Sequence, residues 1–460
     1  MQANTENKMG VMPVGPLLFQ VSAPIAVSML IQALYNIVDS FFVAKVSEEA
    51  LTAVSLAFPV QNLMVSVAVG TGVGVNALLS KSLGEKRYAL ANETATQAVF
   101  LYLLSFLVTF VLGFFGSEAY FQVQTDLPAI LAQGTLYTKI CTMCSIGVYL
   151  QILAERLLQS TGKTIYSMIC QGSGAIINVI LDPIFIFGLF GLPAMGVAGA
   201  ALATVIGQIT ASIVGFTLHH RYNHEVRLSF RSFRPDGSII RRIYAVGVPS
   251  ILMRSLSSVT VFGMNAIMMT FSSTATAVLG IYYKLESFVV MPIFGLNNGL
   301  VPILAYNYGA RKKDRLLHAI RLSLVTAFVI SLVGFGLLQL FPSQILSLFA
   351  SSPESAQRML SIGVPALRII SIYFLLAGFS IVFSGVFQAF GRGGYSLLVS
   401  LFRQILVLLP VAWLLSQSGQ LNIIWFAFPI AEVVSILTCL VFMKRIRANQ
   451  IEPLTPIEEP

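Results

Sequence analysis

Two carboxylates lie deep inside long apolar segments of this sequence. Asp39 follows the run PLLFQVSAPIAVSMLIQALYNIV, and Asp182 follows NVIL in a later apolar segment. A charged side chain at the centre of a bilayer costs about 3 kcal/mol on insertion scales, so such residues usually face a polar interior and take part in transport. Two acids that converge in a low-dielectric cavity would hold a proton or bind a cation. Either state suits an ion-coupled pump.

Each acid has an asparagine about one helical turn before it. Asn178 precedes Asp182 by four residues and Asn36 precedes Asp39 by three. Residues at these spacings share a helix face, so each pair is predicted to address one cavity. The alternative is structural, with each acid paired to a neighbour such as Arg156.

A polar and aromatic stripe runs along the helix that carries Asp39. Gln32, Tyr35, Asn36 and Asp39 recur at helical spacing in an otherwise apolar segment. A cavity lined by aromatic rings and acids favours bulky lipophilic cations, through apolar burial and cation–π contacts. Pro24 in the same helix removes one backbone hydrogen bond, so we expect a helix bend there. Pro249 at the matching place in the second half favours a static bend.

Further charged residues lie within apolar segments. Glu155 and Arg156 are adjacent, and adjacent helical residues point about 100° apart, so we expect only one to face the cavity. Glu286 lies in the second half of the chain, opposite Gln61 in the repeat described below. Arg254 and other second-half charges fit either structural pairing or a second polar site.

The composition indicates an all-α integral membrane protein. The chain has 460 residues, 56% hydrophobic and 10% charged, with mean hydropathy +0.82, whereas soluble domains carry about 25% charged residues. Long apolar runs favour helices over a barrel. The net charge of +9 reflects basic loops, so we predict no nucleic-acid partner. The sequence has no Walker A motif, no histidine cluster for a metal and no nucleophile–base pattern, so we predict neither an enzyme nor a cofactor.

Twelve segments are long enough to cross a bilayer. They cover approximately 15–44, 51–80, 92–116, 130–160, 164–190, 195–218, 243–271, 276–306, 316–341, 360–389, 395–417 and 421–443. We predict a first lobe at 1–220, a cytoplasmic linker at 221–242, a second lobe at 243–445 and a cytoplasmic tail at 446–460. Lys and Arg concentrate in alternate loops, so the positive-inside rule places both termini in the cytoplasm.

The two halves of the sequence repeat. Pro24 recurs as Pro249, Gly70 as Gly295 and Gly74 as Gly299, each 225 residues later. Six helices in each half would relate two pseudo-symmetric lobes by an axis along the membrane normal, with a central site between them. The acids break this repeat, since Met264 stands opposite Asp39 and Val411 opposite Asp182. We therefore expect ion chemistry in the first half.

These motifs resemble the multidrug and toxic compound extrusion (MATE) transporters, on their DinF-like, MepA-like bacterial side. The likeness rests on YNIVDSFFV, AVSLAFPV, LLQSTGKTIYSM and NVILDPIFIFG. It implies exchange of organic cations for H⁺ or Na⁺, with Asp39, Asn178 and Asp182 as the ion site or as Na⁺ ligands. The NorM-like branch carries an acid early in helix 7, where this chain has Ser257 and Ser258.

The resemblance extends the predicted site to further residues. Ion coupling would include Glu155, where relatives have an asparagine, together with Asn36 and the hydroxyl of Thr204. The predicted substrate cavity comprises Gln32, Tyr35, Tyr137, Gln151 and Glu286.

We therefore expect a V-shaped, monomeric multidrug antiporter in the cytoplasmic (inner) membrane. Its partners would be small organic cations and the lipid bilayer. The alternative is a flippase or exporter of a lipid-linked or amphipathic metabolite, for which Arg254 and Arg403 would supply cationic groups. A receptor or scaffold would need a sizeable soluble domain, which the sequence does not show.

Overall fold

The computed structural model describes residues 7–231, 233–349 and 353–455, and these ranges fold into helices without a strand. The helices are α1 (Lys8–Val11), α2 (Val14–Ala44), α3 (Glu48–Gly84), α4 (Tyr88–Gln124), α5 (Pro128–Met143), α6 (Ile146–Gln159), α7 (Thr164–Phe187), α8 (Val197–Tyr222), α9 (Gly237–Met269), α10 (Ser273–Gly309), α11 (Lys313–Leu340), α12 (Pro342–Ser347), α13 (Pro353–Ser371), α14 (Phe374–Ala389), α15 (Gly393–Leu401), α16 (Leu409–Ser416), α17 (Leu421–Ile424) and α18 (Ala427–Ile446). Shorter 3-10 and π segments occupy Leu189–Gly191, Phe402–Leu408 and Arg447–Ile451.

The described residues contain the predicted number of membrane spans. Ten helical stretches are long and apolar enough to cross a bilayer, and two bent helix pairs bring the number to twelve. The bent pairs are α5 with α6, at 45°, and α13 with α14, at 47°. They are the fourth span of each half, so the repeat extends to the position of the bend.

The segments 130–160 and 360–389, each predicted as one span, are bent within their length. Neither bend contains proline. At the first bend, the amide of Ser145 donates to Thr142 O at 3.3 Å and that of Gly147 donates to Cys144 O at 3.4 Å. These three-residue hydrogen bonds replace the regular four-residue pattern, and the helix axis turns there. No proline marked this position in the sequence.

The first span, α2, continues through Pro24. A proline cannot donate to the carbonyl four residues earlier, which here belongs to Gln20. The hydroxyl of Thr164, at the start of α7, donates to that oxygen at 3.2 Å. Ser28 donates to Pro24 O at 2.8 Å. The helix bend predicted at Pro24 is therefore not a break in α2, because side chains satisfy the carbonyls around it.

The two halves of the chain meet through glycines. A Cβ atom on Gly70 would lie 2.8 Å from the backbone nitrogen of Ile251, and one on Gly295 would lie 2.7 Å from Cα of Ala26. Position 251 lies 225 residues after 26, and position 295 lies 225 residues after 70. The contact of Gly70 with Ile251 is therefore the repeat equivalent of the contact of Gly295 with Ala26. The same relation links four further contacts: Gly74 with Gly247, Gly299 with Ser22, Gly84 with Tyr306 and Gly309 with Lys81. The repeat predicted from the sequence thus describes how the halves pack.

These contacts lie toward the ends of the helices that carry the Lys- and Arg-rich turns, 84–87 and 309–313. We call this the basic end. A short N-terminal helix, α1, ties the halves together there. Asn7 Nδ2 donates to Thr161 O in the first half at 3.3 Å. Asn307 Nδ2 in the second half donates to Met9 O at 2.9 Å, and Arg315 Nη2 donates to the same oxygen at 3.1 Å.

Replacing Asn307 with alanine is expected to loosen α1. One buried hydrogen bond contributes about 1 kcal/mol, so amides of residues 8–12 should exchange roughly five times faster. Hydrogen exchange read by mass spectrometry on that peptide measures this. Asn422→Ala is the matched control, because Asn422 is exposed on α17. Equal exchange in the two variants would show that Asn307 does not hold α1.

Candidate functional site

A cavity of about 150 Å³ lies beside the contacts between the halves. Its walls include Val69, next to Gly70, and Arg254, three residues after Ile251. Its polar lining is rich in amides and comprises Ser28, Gln32, Tyr35, Gln151, Glu155, Arg156, Gln159, Gln171, Asn178, Thr204, Gln208, Arg254 and Asn298. Arg254 and Asn298 come from the second half, so the cavity borders both halves.

Three residues next to this cavity carry buried oxygens without a hydrogen-bond partner. They are Asp39 Oδ1, Asn178 Oδ1 and Asp182 Oδ2. The amide of Asn178 donates to Asp182 Oδ1 and to Thr204 Oγ1, both at 3.3 Å. Asp182 is completely buried and Asp39 is 9% exposed. The one-turn spacing thus brings Asn178 and Asp182 together as predicted, and Thr204 joins them from α8.

This group of oxygens suits a small hard cation or a proton. Asp39 and Asp182 each lie one helical turn after a residue that lines the cavity, Tyr35 and Asn178 respectively. Neither acid forms an ion pair with a cationic side chain in the part of the chain that the structure describes. Arg156, the predicted structural partner, donates instead to Gln159 Oε1 at 2.9 Å. Carboxylate and amide oxygens are ligands that hard cations prefer, so the donor set fits Na⁺ as well as H⁺.

A third acid, Glu155, lines the cavity directly. Gln151 Nε2 donates to Glu155 Oε1 at 3.0 Å and to Gln171 Oε1 at 2.7 Å. The expectation that only one of Glu155 and Arg156 would face the cavity was wrong, since both line it. The lining residues of α6 recur at intervals of three and four and form one face at least about 100° wide, so Glu155 and Arg156 lie on the two sides of that face.

Some residues of the polar and aromatic stripe on α2 line the cavity and others do not. Gln32 and Tyr35 line the cavity. Asn36 is exposed and is not part of the lining. Tyr137 is 2% exposed and does not line the cavity; its hydroxyl accepts a hydrogen bond from Gln61 Nε2 at 3.2 Å.

Glu286 belongs to a separate polar cluster in the second half and does not line the cavity. The hydroxyl of Tyr373 donates to it. Nearby, Glu432 is 1% exposed, accepts a hydrogen bond from Ser380 and pairs with Arg403 at 3.4 Å. The location of Glu286 follows from the repeat, because its counterpart Gln61 also hydrogen-bonds a tyrosine of the bent fourth span.

Several residues that line the cavity were not predicted from the sequence, among them Gln171 and Gln208. A signal for them was present. Gln171 lies seven residues before Asn178, and Gln208 lies four residues after Thr204. Residues at these spacings lie on one helix face, so Gln171 shares a face of α7 with Asn178, and Gln208 shares a face of α8 with Thr204. Following polar residues along the faces of α7 and α8 would have found them.

A model of a known protein family matches each half of the chain separately. The MatE family model matches residues 24–184 and again residues 249–414. The chain is 28% identical over 415 residues to "Multidrug export protein MepA" of Staphylococcus haemolyticus strain JCSC1435, covering 90% of this chain and 89% of the relative. It is also 28% identical over 451 residues to the "FAD transporter" of Shewanella oneidensis strain MR-1, covering 94% and 95%.

The fold matches a solved structure over almost its full length. The structure described as the outward-facing conformation of a multidrug resistance MATE family transporter of the MOP superfamily superposes with a TM-score of 0.89. The alignment covers 97% of this chain and 99% of that chain at 24% identity. It therefore establishes the arrangement of the helices.

Proposed function

Because this chain belongs to the MatE family of multidrug and toxic compound extrusion transporters, we propose that it is a secondary active antiporter. It exports bulky organic compounds, organic cations among them, in exchange for H⁺ or Na⁺. It needs no cofactor, acts as a monomer and lies in the cytoplasmic membrane. The positive-inside rule supports placing its basic end and both termini in the cytoplasm.

The observation that carries this proposal is the set of unpartnered oxygens on Asp39, Asn178 and Asp182. A buried acceptor without a partner is costly, so these atoms indicate an ion or proton that the protein binds during its cycle. The repeat does not preserve the two acids, since Met264 corresponds to Asp39 and Val411 corresponds to Asp182. A role in packing alone would suit both halves equally, whereas ion binding needs one site.

A single helix connects this ion site to the contact between the halves. Asp39 lies toward one end of α2, and Ser22 and Ala26 lie toward the other, packed on Gly299 and Gly295. The hydroxyl of Ser22 also donates to Leu296 O of the second half at 3.3 Å. Ion binding that shifts or rotates α2 would therefore alter the packing of the halves at the basic end. This supplies a mechanical route for alternating access.

The relatives support export of organic compounds. One is named for the export of multiple drugs and another for transport of FAD. The amide groups of the cavity and its apolar residues Ile25, Met29 and Ile152 offer the contacts that such molecules make, and its volume of about 150 Å³ would hold part of one. A flippase for a lipid-linked compound is a second candidate, and the two guanidinium groups in the cavity favour it through their attraction for phosphate.

Asp39→Asn is expected to uncouple transport from the ion gradient. The amide keeps the size of the side chain but has no charge to bind a cation and no carboxylate to accept the proton. Purified protein in liposomes, loaded with a fluorescent organic cation, receives a proton gradient or a sodium gradient separately. Gradient-driven transport by the variant should fall by at least about tenfold, which corresponds to a loss of about 1.4 kcal/mol or more of interaction free energy with the coupling ion.

Asp126→Asn is the matched control, since Asp126 is exposed in the turn between α4 and α5. It should transport like the wild type. Movement under one gradient alone identifies the coupling ion. Wild-type rates in Asp39→Asn under that gradient would reject the coupling role, and no wild-type movement under either gradient would reject the antiport proposal.

A further inference from the structure

We propose that Arg156 and Arg254 together form a binding site for an anionic group, a carboxylate or a phosphate, on the transported compound. The preferred substrates are then amphoteric or anionic organic molecules, and simple lipophilic cations bind less well. This inference rests on the proposed transport function and specifies the substrate class of the same cavity.

Arg156 contributes the first cationic group, from α6 in the first half. The residue is 7% exposed and lines the cavity. Its Nη1 donates to Gln159 Oε1 at 2.9 Å, and its Nε has no partner. The side chain of Gln159 is in turn held by its own hydrogen bond, from Nε2 to Ser167 Oγ at 2.8 Å. The buried side chain is thus held beside the cavity with one donor, Nε, unsatisfied.

Arg254 contributes the second cationic group, from the middle of α9 in the second half. Its side chain is exposed, and the structure gives its guanidinium no hydrogen bond or ion pair with the described residues. Arg156 and Arg254 line the same cavity, one from each half of the chain. Neither arginine forms an ion pair with an acid among the described residues, although the adjacent Glu155 interacts electrostatically with Arg156.

The charges that line the cavity compensate this pair only in part. Glu155 is the one carboxylate among the lining residues described, and it accepts a hydrogen bond from Gln151. With two arginines and one glutamate, the lining carries a formal charge of +1. Cationic side chains in the membrane interior are expensive and usually mark a pathway for a substrate. An anion that accepts from both guanidinium groups would relieve their repulsion.

The chemistry of arginine narrows the ligand. Its planar fork donates two parallel hydrogen bonds to a carboxylate or phosphate, and these charge-assisted bonds are stronger than neutral ones. The acids Asp39 and Asp182 lie outside this lining, beyond Tyr35 and Asn178. An amphoteric compound could therefore place its anionic group at the arginines and its cationic group toward the acids. Competition at the acids would still couple its export to the ion.

The test compares two fluorescent dyes that differ in one group. A rhodamine with a free carboxylate and its methyl ester have the same ring system, and only the first carries the anion. Their affinities for the purified protein are measured by fluorescence polarisation. The wild type is expected to bind the acid about tenfold more tightly than the ester, a ratio typical of one charge-assisted interaction. Arg254→Gln should reduce that ratio to about one.

Arg241→Gln is the control, because Arg241 is exposed on the same helix and does not line the cavity. It should keep the wild-type ratio. Equal or tighter binding of the ester by the wild type would overturn the proposal, as would an unchanged ratio in Arg254→Gln. Gradient-driven transport of the ester by the wild type is measured in parallel, so a failure of antiport is distinguished from a failure of anion recognition.

A second measurement on the wild type applies if Arg254→Gln does not fold. Phenyl phosphate, or phosphatidic acid in lipid nanodiscs, is added to displace the carboxylate dye. Displacement by phenyl phosphate indicates a soluble anionic substrate, and displacement by phosphatidic acid alone indicates a lipid headgroup. Displacement by neither would overturn the assignment of an anion site.

Discussion

Gly74→Leu is expected to prevent the halves from closing against each other at the basic end. A Cβ atom at Gly74 would overlap the carbonyl oxygen of Ile243 and lie 2.9 Å from its carbonyl carbon. Both are backbone atoms of α9, so no rotamer change relieves the clash. Overpacking of this kind costs about 3 kcal/mol, which shifts a two-state equilibrium by roughly a hundredfold. Transport should stop, because the cycle needs the closed state.

Distances between spin labels at Ala89 and Asp314 measure the closure, since both residues are exposed at the basic end, one in each half. The distribution should move to longer distances in Gly74→Leu. Gly116→Leu is the matched control, because nothing lies within 4 Å of a Cβ atom there. Gly299→Leu should reproduce the effect, since its Cβ atom would lie 2.9 Å from Cα of Ser22. Unchanged distances in both interface variants would contradict the role assigned to these glycines.

Arg403→Met is expected to lower the free energy of unfolding by about 3 kcal/mol, the lower end of the loss for a buried pair, because Arg403 is 28% exposed while Glu432 is buried. Glu432 is 1% exposed, so the substitution would leave its carboxylate without its cationic partner. Ser380 would still donate to it but carries no charge. Thermal unfolding in detergent, followed by intrinsic fluorescence, measures the loss. Adding Glu432→Gln should recover most of it, because the uncompensated charge is then absent.

The exposed pair of Arg447 and Glu452 provides the control. Its atoms are closer, at 3.1 Å, but the two side chains are 65% and 53% exposed. Water and salt screen such a pair, so Arg447→Met should cost less than about 1 kcal/mol. Similar losses in Arg403→Met and Arg447→Met would show that burial does not set the contribution of the second-half pair.

The repeat and the local spacings predicted much of this molecule. Hydropathy predicts twelve spans because an apolar helix of sufficient length is the direct solution to crossing a bilayer. The four-residue spacing of Asn178 and Asp182 predicts their contact because helix geometry alone determines it. The offset of 225 predicts which residues play equivalent parts, and the contacts of Gly70 and Gly295 follow it.

Other features depend on tertiary packing and left weaker signals. The bend beside Ser145 has no proline and is marked by three-residue hydrogen bonds. Tyr137 and Glu286 were predicted in the cavity, and each forms a hydrogen bond within its own half instead. The cavity shared by Arg254 and Arg156 joins residues 98 positions apart on different halves. Spacing along one helix cannot reveal such a contact.

The matched glycine contacts have a consequence for how the chain tolerates change. In a homodimer with a twofold axis the interface is isologous, so every interface residue is used twice and one substitution acts at two places. Here the same geometry joins two halves of one polypeptide, which is in effect a fused dimer. Each contact, such as Gly74 on Gly247 and Gly299 on Ser22, can therefore change independently of its twin. This independence lets one half hold Asp39 and Asp182 while the other keeps Met264 and Val411 at the corresponding positions.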